Sequence, residues 1–313
     1  MDNIIKGSVV VITGASSGIG RQTAQHFAAE GARLVLAARD GRALDDVVRT
    51  CMEVGAEAVA VPTDVAEQAQ VEALGEAAVR QFGRVDVWVN NAGAYMMGAV
   101  EDVPTEAYRR LMDVNFMGTV YGTRVALREF RRRGRGVIIN VGSVAGKNAY
   151  ALAAAYCASK HAVHGFTEAL RQELVGTDIH ACVVAPATVD TPLFEHAANY
   201  THREIEAMRP IYPPAQVAEE IVSLAKRPQR EVTVGAAPKV FSALHGIAPD
   251  LYEQMQPRMV NNEHLGKAPR EDTPGNLFDA REPHLVEGGW QARKTGMVHL
   301  GELLRDGGRG RPH

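Results

Sequence analysis

The sequence predicts an α/β fold, a parallel sheet of about seven strands with helices on both faces, from two observations. Short β-branched runs alternate with helix-length stretches over the first three quarters of the chain. The first of those runs also ends in a glycine-rich turn that opens a helix. Strands that alternate with helices are joined by right-handed crossovers, which give a parallel sheet between two helical layers. Ligands of such sheets lie beyond the carboxyl ends of the strands.

The first strand is Val9-Val10-Val11-Ile12-Thr13, followed at once by Gly14-Ala15-Ser16-Ser17-Gly18-Ile19-Gly20 and a helical stretch from Arg21 to Glu30. Glycines in such a turn let the backbone bend tightly and approach a phosphate, and the helix start is aimed at an anion. Arg33 to Ala38 is the second strand and closes a βαβ unit. At its end a carboxylate would bind the ribose hydroxyls of NAD, whereas an arginine accommodates the extra phosphate of NADP. Ala38 and Arg39 favour NADP(H), and NAD(H) is the alternative if Asp40 takes that place.

Glu57 to Val61 is the third strand, ending near Asp64, and a helix from Glu67 to Gln81 leads to the fourth, Val85 to Val89. Asn90-Asn91-Ala92-Gly93 then stands at a strand end, where it can border a ligand crevice or form a turn. Helix-forming sequence from Thr105 to Arg133 contains Asn115; the fifth strand, Val137 to Val141, ends just before Ser143. The next helix runs to Leu174, and Ile179 to Val184 is the sixth strand, followed by Pro186 to Thr191. A helix beginning at Pro213-Pro214 and a seventh strand, Glu231 to Val234, complete the pattern, a Rossmann-like doubly wound sheet.

Tyr156 and Lys160 lie four apart on a helix, so phenol and ammonium project from one face. A nearby lysine cation favours the phenolate and makes the tyrosine a tunable acid/base. His161 and His164 have no metal-ligand partners nearby in sequence and are read as helix packing. Tyr95, Met96, Met97, Tyr150 and Phe194 suggest an apolar substrate.

Net charge is −3, which favours neither nucleic acid nor an anionic membrane. The arginines from Arg128 to Arg135 suit a helix C-terminus. Cys51, Cys157 and Cys182 have no metal spacing and suggest packing residues in a reducing compartment. With no secretory leader and no apolar run near the ~18 residues of a spanning helix, a cytoplasmic protein is expected.

Thr13-Gly14-x-x-x-Gly18-x-Gly20, Asn90-Asn91-Ala92-Gly93, Asn115, Ser143, Tyr156-x-x-x-Lys160 and Pro186-x-x-x-x-Thr191, in that order, resemble the short-chain dehydrogenase/reductase family, in its smaller branch. The resemblance implies an oxidoreductase moving hydride between a nicotinamide dinucleotide and a carbonyl or secondary alcohol. Tyr156 would be the general acid/base and Lys160 would lower its pKa and bind the nicotinamide ribose. Ser143 would hydrogen-bond the substrate oxygen, and Asn115 would hold a water in the proton relay. Gly14, Ser16, Ser17, Gly18, Ile19 and Gly20 would cradle pyrophosphate. Asp64 would contact adenine, Asn91 with Ala92 and Gly93 would sit beside the cofactor, and Thr191 would bind the carboxamide. Val65, Pro186, Thr188 and Val189 complete the implied cofactor set, and a homodimer or homotetramer is implied. Ala187 departs from the glycine usual in the family. The alternative is a dinucleotide-binding sensor or scaffold that has lost catalysis.

Residues 1–238 are expected to form the catalytic domain and 239–313 a partly helical extension. Val240, Leu244, Ile247, Leu251, Met255 and Met259 give an apolar helical stripe that Pro249 should break or kink. It is expected to dock on the body, over the substrate entrance, or on another subunit. Beyond Gly266 the chain is rich in Gly, Pro and charge, and is expected to be loosely ordered or wrapped on a neighbour.

Overall fold

In a computed structural model of the chain, residues 5–235 and 247–292 are described. The strands and helices are β1 (Val9–Thr13), α1 (Gly18–Ala29), β2 (Arg33–Ala38), α2 (Gly41–Glu53), β3 (Glu57–Pro62), α3 (Gln68–Phe82), β4 (Val87–Asn90) and β5 (Met96–Gly98). Then come α4 (Thr105–Met112), α5 (Gly118–Arg133), β6 (Arg135–Val141), α6 (Ala154–Glu173), β7 (Asp178–Pro186), β8 (Ala198–Tyr200) and β9 (Arg203–Ile205). The described part ends with α7 (Pro214–Lys226), β10 (Glu231–Val234), α8 (Pro249–Met259) and β11 (Leu265–Pro269).

Seven strands form one parallel sheet in the order β10-β7-β6-β4-β1-β2-β3. The order reverses between β1 and β4, so a crevice opens there at the carboxyl ends. Alternation along each strand divides the core. Val10, Ile12, Leu34 and Leu36 pack with Phe27, Leu44 and Ile221 on one face. Val9, Val11, Val35 and Trp88 pack with Leu74, Phe130 and Leu170 on the other. A third cluster, including Tyr95, Met97, Leu111, Tyr156, Tyr200 and Leu277, stands over the carboxyl ends.

Cys51, Cys157 and Cys182 are free and buried. At the end of α5 Arg132 is exposed and pairs with Glu129, as the sequence suggested, whereas Arg133 turns inward to pair with the part-buried Asp86. Among the described residues no helix is long and apolar enough to cross a membrane.

At the C-terminal end the expected break is present: Ile247 is helical, Ala248 leaves the helix at φ −139° and ψ 68°, and α8 begins anew at Pro249, whose missing N–H costs no hydrogen bond in a first turn. Other C-terminal expectations need correction. The buried face of α8 is Tyr252, Gln256 and Met259, whereas Ile247 and Leu251 are exposed, so among the described residues of the expected stripe Met259 alone is buried. Val240, Leu244 and the 238/239 boundary lie outside the described residues. Beyond Gly266, as far as Gln291, the chain packs on its own body: β11 pairs with β9, and Leu277 and Trp290 are buried.

Candidate active site

A crevice of about 280 Å³ runs along the carboxyl ends of the sheet. Its lining includes Gly14, Ser16, Ser17, Gly18, Ile19, Arg39, Asp64, Val65, Asn91, Ala92, Gly93, Ser143, Tyr156, Lys160, Pro186, Thr188, Val189 and Thr191. Of the sequence-derived set, Gly20 and Asn115 are absent from this wall and act behind it. A Cβ on Gly20 would fall 2.1 Å from the Gly14 carbonyl oxygen, so glycine there lets α1 begin hard against the turn. Gly14, at φ +66°, is the tight bend itself, with a Cβ site 2.7 Å from the Ala92 Cα. Asn91 ties the two loops together by donating from Nδ2 to the Thr13 and Gly14 carbonyls at 2.9 and 3.1 Å.

Asn90, placed beside the crevice by sequence, instead turns into the core. It accepts from Trp88 Nε1 at 2.7 Å and donates to Asn140 Oδ1 at 2.8 Å, and Asn140 donates to Thr167 Oγ1 at 2.9 Å. Period-two alternation decides this, since Asn90 and Asn91 must face opposite ways.

Asn115 sits in a π-helical turn, Asp113–Met117, that joins α4 to α5. Its Oδ1 accepts from the Ala94 amide at 2.8 Å, and Nδ2 donates to the Ala94 carbonyl and to Ser159 Oγ at 3.0 Å each. The side chain thereby fixes the loop after β4 to α6 just behind Lys160.

Ser143 follows β6 and its Oγ accepts from the Ala145 amide at 3.1 Å. Burial pushes the Tyr156 phenol up to about 12, while a hydrogen bond with Ser143 draws it down. Burial lowers Lys160 to about 8. The lysine ammonium donates to the Val141 carbonyl at 2.9 Å and lies 5.9 Å from the centre of the Tyr156 ring. Ser143 thus favours the phenolate through a hydrogen bond, and the lysine ammonium stands on the same stretch of α6. His161 Nδ1 meets the Cys157 carbonyl at 2.8 Å and His164 pairs with Glu231 at 3.6 Å, the packing roles expected of them.

At the other end of the crevice Arg39 donates to the carbonyls of Asn276 and Leu277 at 2.7 and 3.3 Å. Asp40 caps α2 by accepting from the amides of Arg42 and Ala43, and it meets His284 Nε2 at 2.9 Å. The Asp64 carboxylate accepts from Arg110 and from the Ala66 amide.

Sequence reasoning missed a wall of the crevice. Asn276, Ala280, Arg281 and His284 line it from a C-terminal strap, together with His196. The strap is fixed by Gly18 N–H to the Leu285 carbonyl at 2.8 Å, Arg21 to the His284 carbonyl at 2.8 Å, and Trp290 N–H to Asp190 at 2.8 Å. It has no strand or helix period, so nothing in its pattern pointed to the crevice.

The donor set fits a nicotinamide dinucleotide. The glycine turn admits backbone close to a phosphate, Arg39 supplies a cation, and Thr188 and Thr191 supply hydroxyls. His196 Nε2 and Asn276 Oδ1, in the crevice wall, are buried without a hydrogen-bond partner among the described residues, as in a crevice shaped for a polar ligand.

A family model described as short chain dehydrogenase matches residues 8–201. An uncharacterized oxidoreductase of Bacillus subtilis, YxnA, is 38% identical over 283 residues, covering 88% of this chain and 79% of its own. Dehydrogenase/reductase SDR family member 7B of Bos taurus is 32% identical over 274 residues, covering 84% of each chain. Among solved structures, a short chain dehydrogenase/reductase from Burkholderia phymatum in complex with NAD superposes with a TM-score of 0.71 at 30% identity, covering 80% of this chain and 96% of its own. An alcohol dehydrogenase from Thermococcus sibiricus, complexed with 5-hydroxy-NADP, gives 0.65 at 26% identity, covering 73% and 96%.

Proposed function

This chain belongs to the short-chain dehydrogenase/reductase family, and on that premise we propose that it is an NADP(H)-dependent oxidoreductase interconverting an apolar ketone and its secondary alcohol. The observation that carries the reading is that Ser143, Tyr156 and Lys160 share one crevice with the glycine turn and Arg39. When bound, the nicotinamide dinucleotide supplies or accepts the hydride.

In carbonyl reduction, Tyr156 gives its phenolic proton to the substrate oxygen and Ser143 donates a hydrogen bond to that oxygen. Lys160 holds the nicotinamide ribose, and its ammonium stabilises the phenolate left after transfer. Asn115 positions Lys160 through Ser159 and the Ala94 loop. Tyr95, Leu193 and Phe194 exclude water from the apolar part of the crevice.

The preference for NADP(H) is supported by Arg39 on the crevice wall and by the engagement of Asp40 with α2 and His284. Either dinucleotide appears in related structures, so the preference rests on those two residues. We assign Gly14, Ser16, Ser17, Gly18, Ile19, Asp64, Val65, Asn91, Ala92, Gly93, Pro186, Thr188, Val189 and Thr191 to cofactor binding, with Gly20 supporting the turn. A cytoplasmic homodimer or homotetramer completes the reading; the three free cysteines suit a reducing compartment.

The test is a screen of ketones and secondary alcohols followed by NADPH absorbance, with NADH in parallel. Turnover of apolar ketones with NADPH ahead of NADH is expected. Dinucleotide binding without turnover of any of them would favour a sensor.

A further inference from the structure

Beside the Tyr156 hydroxyl, the crevice is bounded by a buried chain of hydrogen bonds that the proposed proton transfer does not use. Tyr150 Oη lies 3.2 Å from Tyr95 Oη, and Tyr95 Oη lies 2.6 Å from His264 Nε2. His264 Nδ1 in turn contacts the Glu206 backbone carbonyl. Tyr95 and His264 are almost wholly buried and Tyr150 is half-buried; both tyrosines line the crevice. His264 comes from a π-helical turn, Val260–His264, outside the span matched by the family model.

The direction of every proton in this chain is fixed by its far end. A backbone carbonyl only accepts, so Nδ1 of His264 must carry a hydrogen. Burial holds this imidazole down at about 4, so at neutral pH it has one proton and Nε2 is bare. Nε2 therefore accepts, and Tyr95 spends its single proton on it. The Tyr95 oxygen is left with lone pairs, and only Tyr150 can donate across the 3.2 Å contact. The proton of Tyr150 is consequently engaged by Tyr95, and toward a ligand in the crevice its oxygen can only accept.

Building on the carbonyl and alcohol reading above, we propose that Tyr150 is a specificity-determining residue that selects substrates carrying a hydrogen-bond donor, such as a hydroxyl or amide N–H, on an otherwise apolar body. Tyr95 and His264 are its positioning residues: they set which way its proton faces. A substrate with only an ether or carbonyl oxygen at that place would put two acceptors face to face and leave both unpaired, a penalty larger than the gain from a made bond.

The experiment compares hydroxyacetophenones with their methoxy counterparts, in the ortho, meta and para series, by kcat/KM with NADPH. For at least one position the hydroxy compound is expected to exceed the methoxy compound by about tenfold, through KM. Tyr95→Phe cannot accept from Tyr150 and frees its proton, so the ratio should fall toward or below one although the size of the pocket is nearly unchanged. Tyr150→Phe should also abolish the preference. Equal rates for every pair in the native chain, or a preference that survives both substitutions, would overturn the proposal. Should Tyr95→Phe fail to fold, the native ratio and Tyr150→Phe decide it. Calorimetric affinities of the same ligand pairs, measured on the NADPH-loaded chain, separate the two claims. No turnover with tighter binding of the hydroxy ligands would sink the reduction reading alone, and turnover with no such preference would sink this one alone.

Discussion

Lys160 and Tyr156, one turn apart on α6, are both buried, and the lysine ammonium lies 5.9 Å from the centre of the tyrosine ring while hydrogen-bonding the Val141 carbonyl. Tyr156→Phe removes the transferable proton and keeps the ring that packs edge-on to Tyr95 at 4.7 Å. Turnover should fall by roughly 10²–10⁴-fold, with NADPH affinity, read by fluorescence titration, little changed. Near-native turnover would remove Tyr156 from the proposed mechanism.

The same pair sets a pH profile. Burial keeps the phenol protonated until about pH 12, so its proton is available for reduction throughout the neutral range. Lys160, lowered to about 8, is charged below that pH and neutral above it. Reduction should therefore hold level on the acid side and decline as pH rises through about 8, because the ammonium that stabilises the phenolate is lost. A kcat profile level to pH 10 would contradict this assignment.

Arg39 tests the cofactor. Arg39→Gln removes a charge-assisted contact to a 2′-phosphate, worth about 1.5–3 kcal/mol, or roughly 10- to 150-fold in NADPH affinity. NADH affinity should barely move. Equal losses for both dinucleotides would mean that Arg39 serves the strap carbonyls of Asn276 and Leu277 rather than a phosphate.

Trp290 tests the strap. Its indole N–H donates to the Thr191 carbonyl at 3.2 Å and its ring lies edge-on to Phe194 at 6.0 Å. Trp290→Ala removes a buried ring, a loss of about 3–5 kcal/mol, larger than most local docking energies. Limited proteolysis with mass spectrometry should then cut between Leu277 and Trp290 in the variant and spare the native chain. Equal cutting of both would show that Trp290 does not hold the strap.

Glu231 fastens edge strand β10 to α6 and the turn after β6. Burial pushes its carboxyl up, but hydrogen bonds and charge from His164 and Lys147 outweigh this and bring it down to about 2, below the ordinary 4.5. A depressed carboxylate stabilises the fold above about pH 4.5, and that contribution is lost as pH falls toward 2. Glu231→Gln should cost on the order of 1–2 kcal/mol at pH 7, after allowance for its partial exposure. The gap between variant and native, read by urea unfolding, should shrink below pH 4.5; a constant gap would refute the ion pair.

The legible part of this chain was the part governed by local rules. All seven expected strands begin and end within two residues of the observed ones, because buried parallel strands are β-branched runs bounded by polar turns. The glycine turn, Ser143 and the Tyr156 to Lys160 spacing were likewise readable, since each depends on neighbours in sequence. Asn90 was misplaced because strand alternation, which sends it into the core, was not applied to the last residue of β4. The strap and the His264 relay were illegible for a different reason. Asn276, His284 and His264 are single polar residues in stretches without a period, and their partners Arg39, Asp40 and Tyr95 lie far away in sequence.

The strap also bears on the order in which the protein is made. Arg21, at the start of α1, finds its partner carbonyl in His284, 263 residues later. A ribosome adding ~5–20 residues per second needs roughly 13–50 s to cover that distance. The βαβ unit that opens the chain can pair its strands while the rest is still being synthesised, but the edge formed by its glycine turn stays bare of the strap through that interval. The closure that joins the two is a contact of very high order and belongs to the slow end of folding.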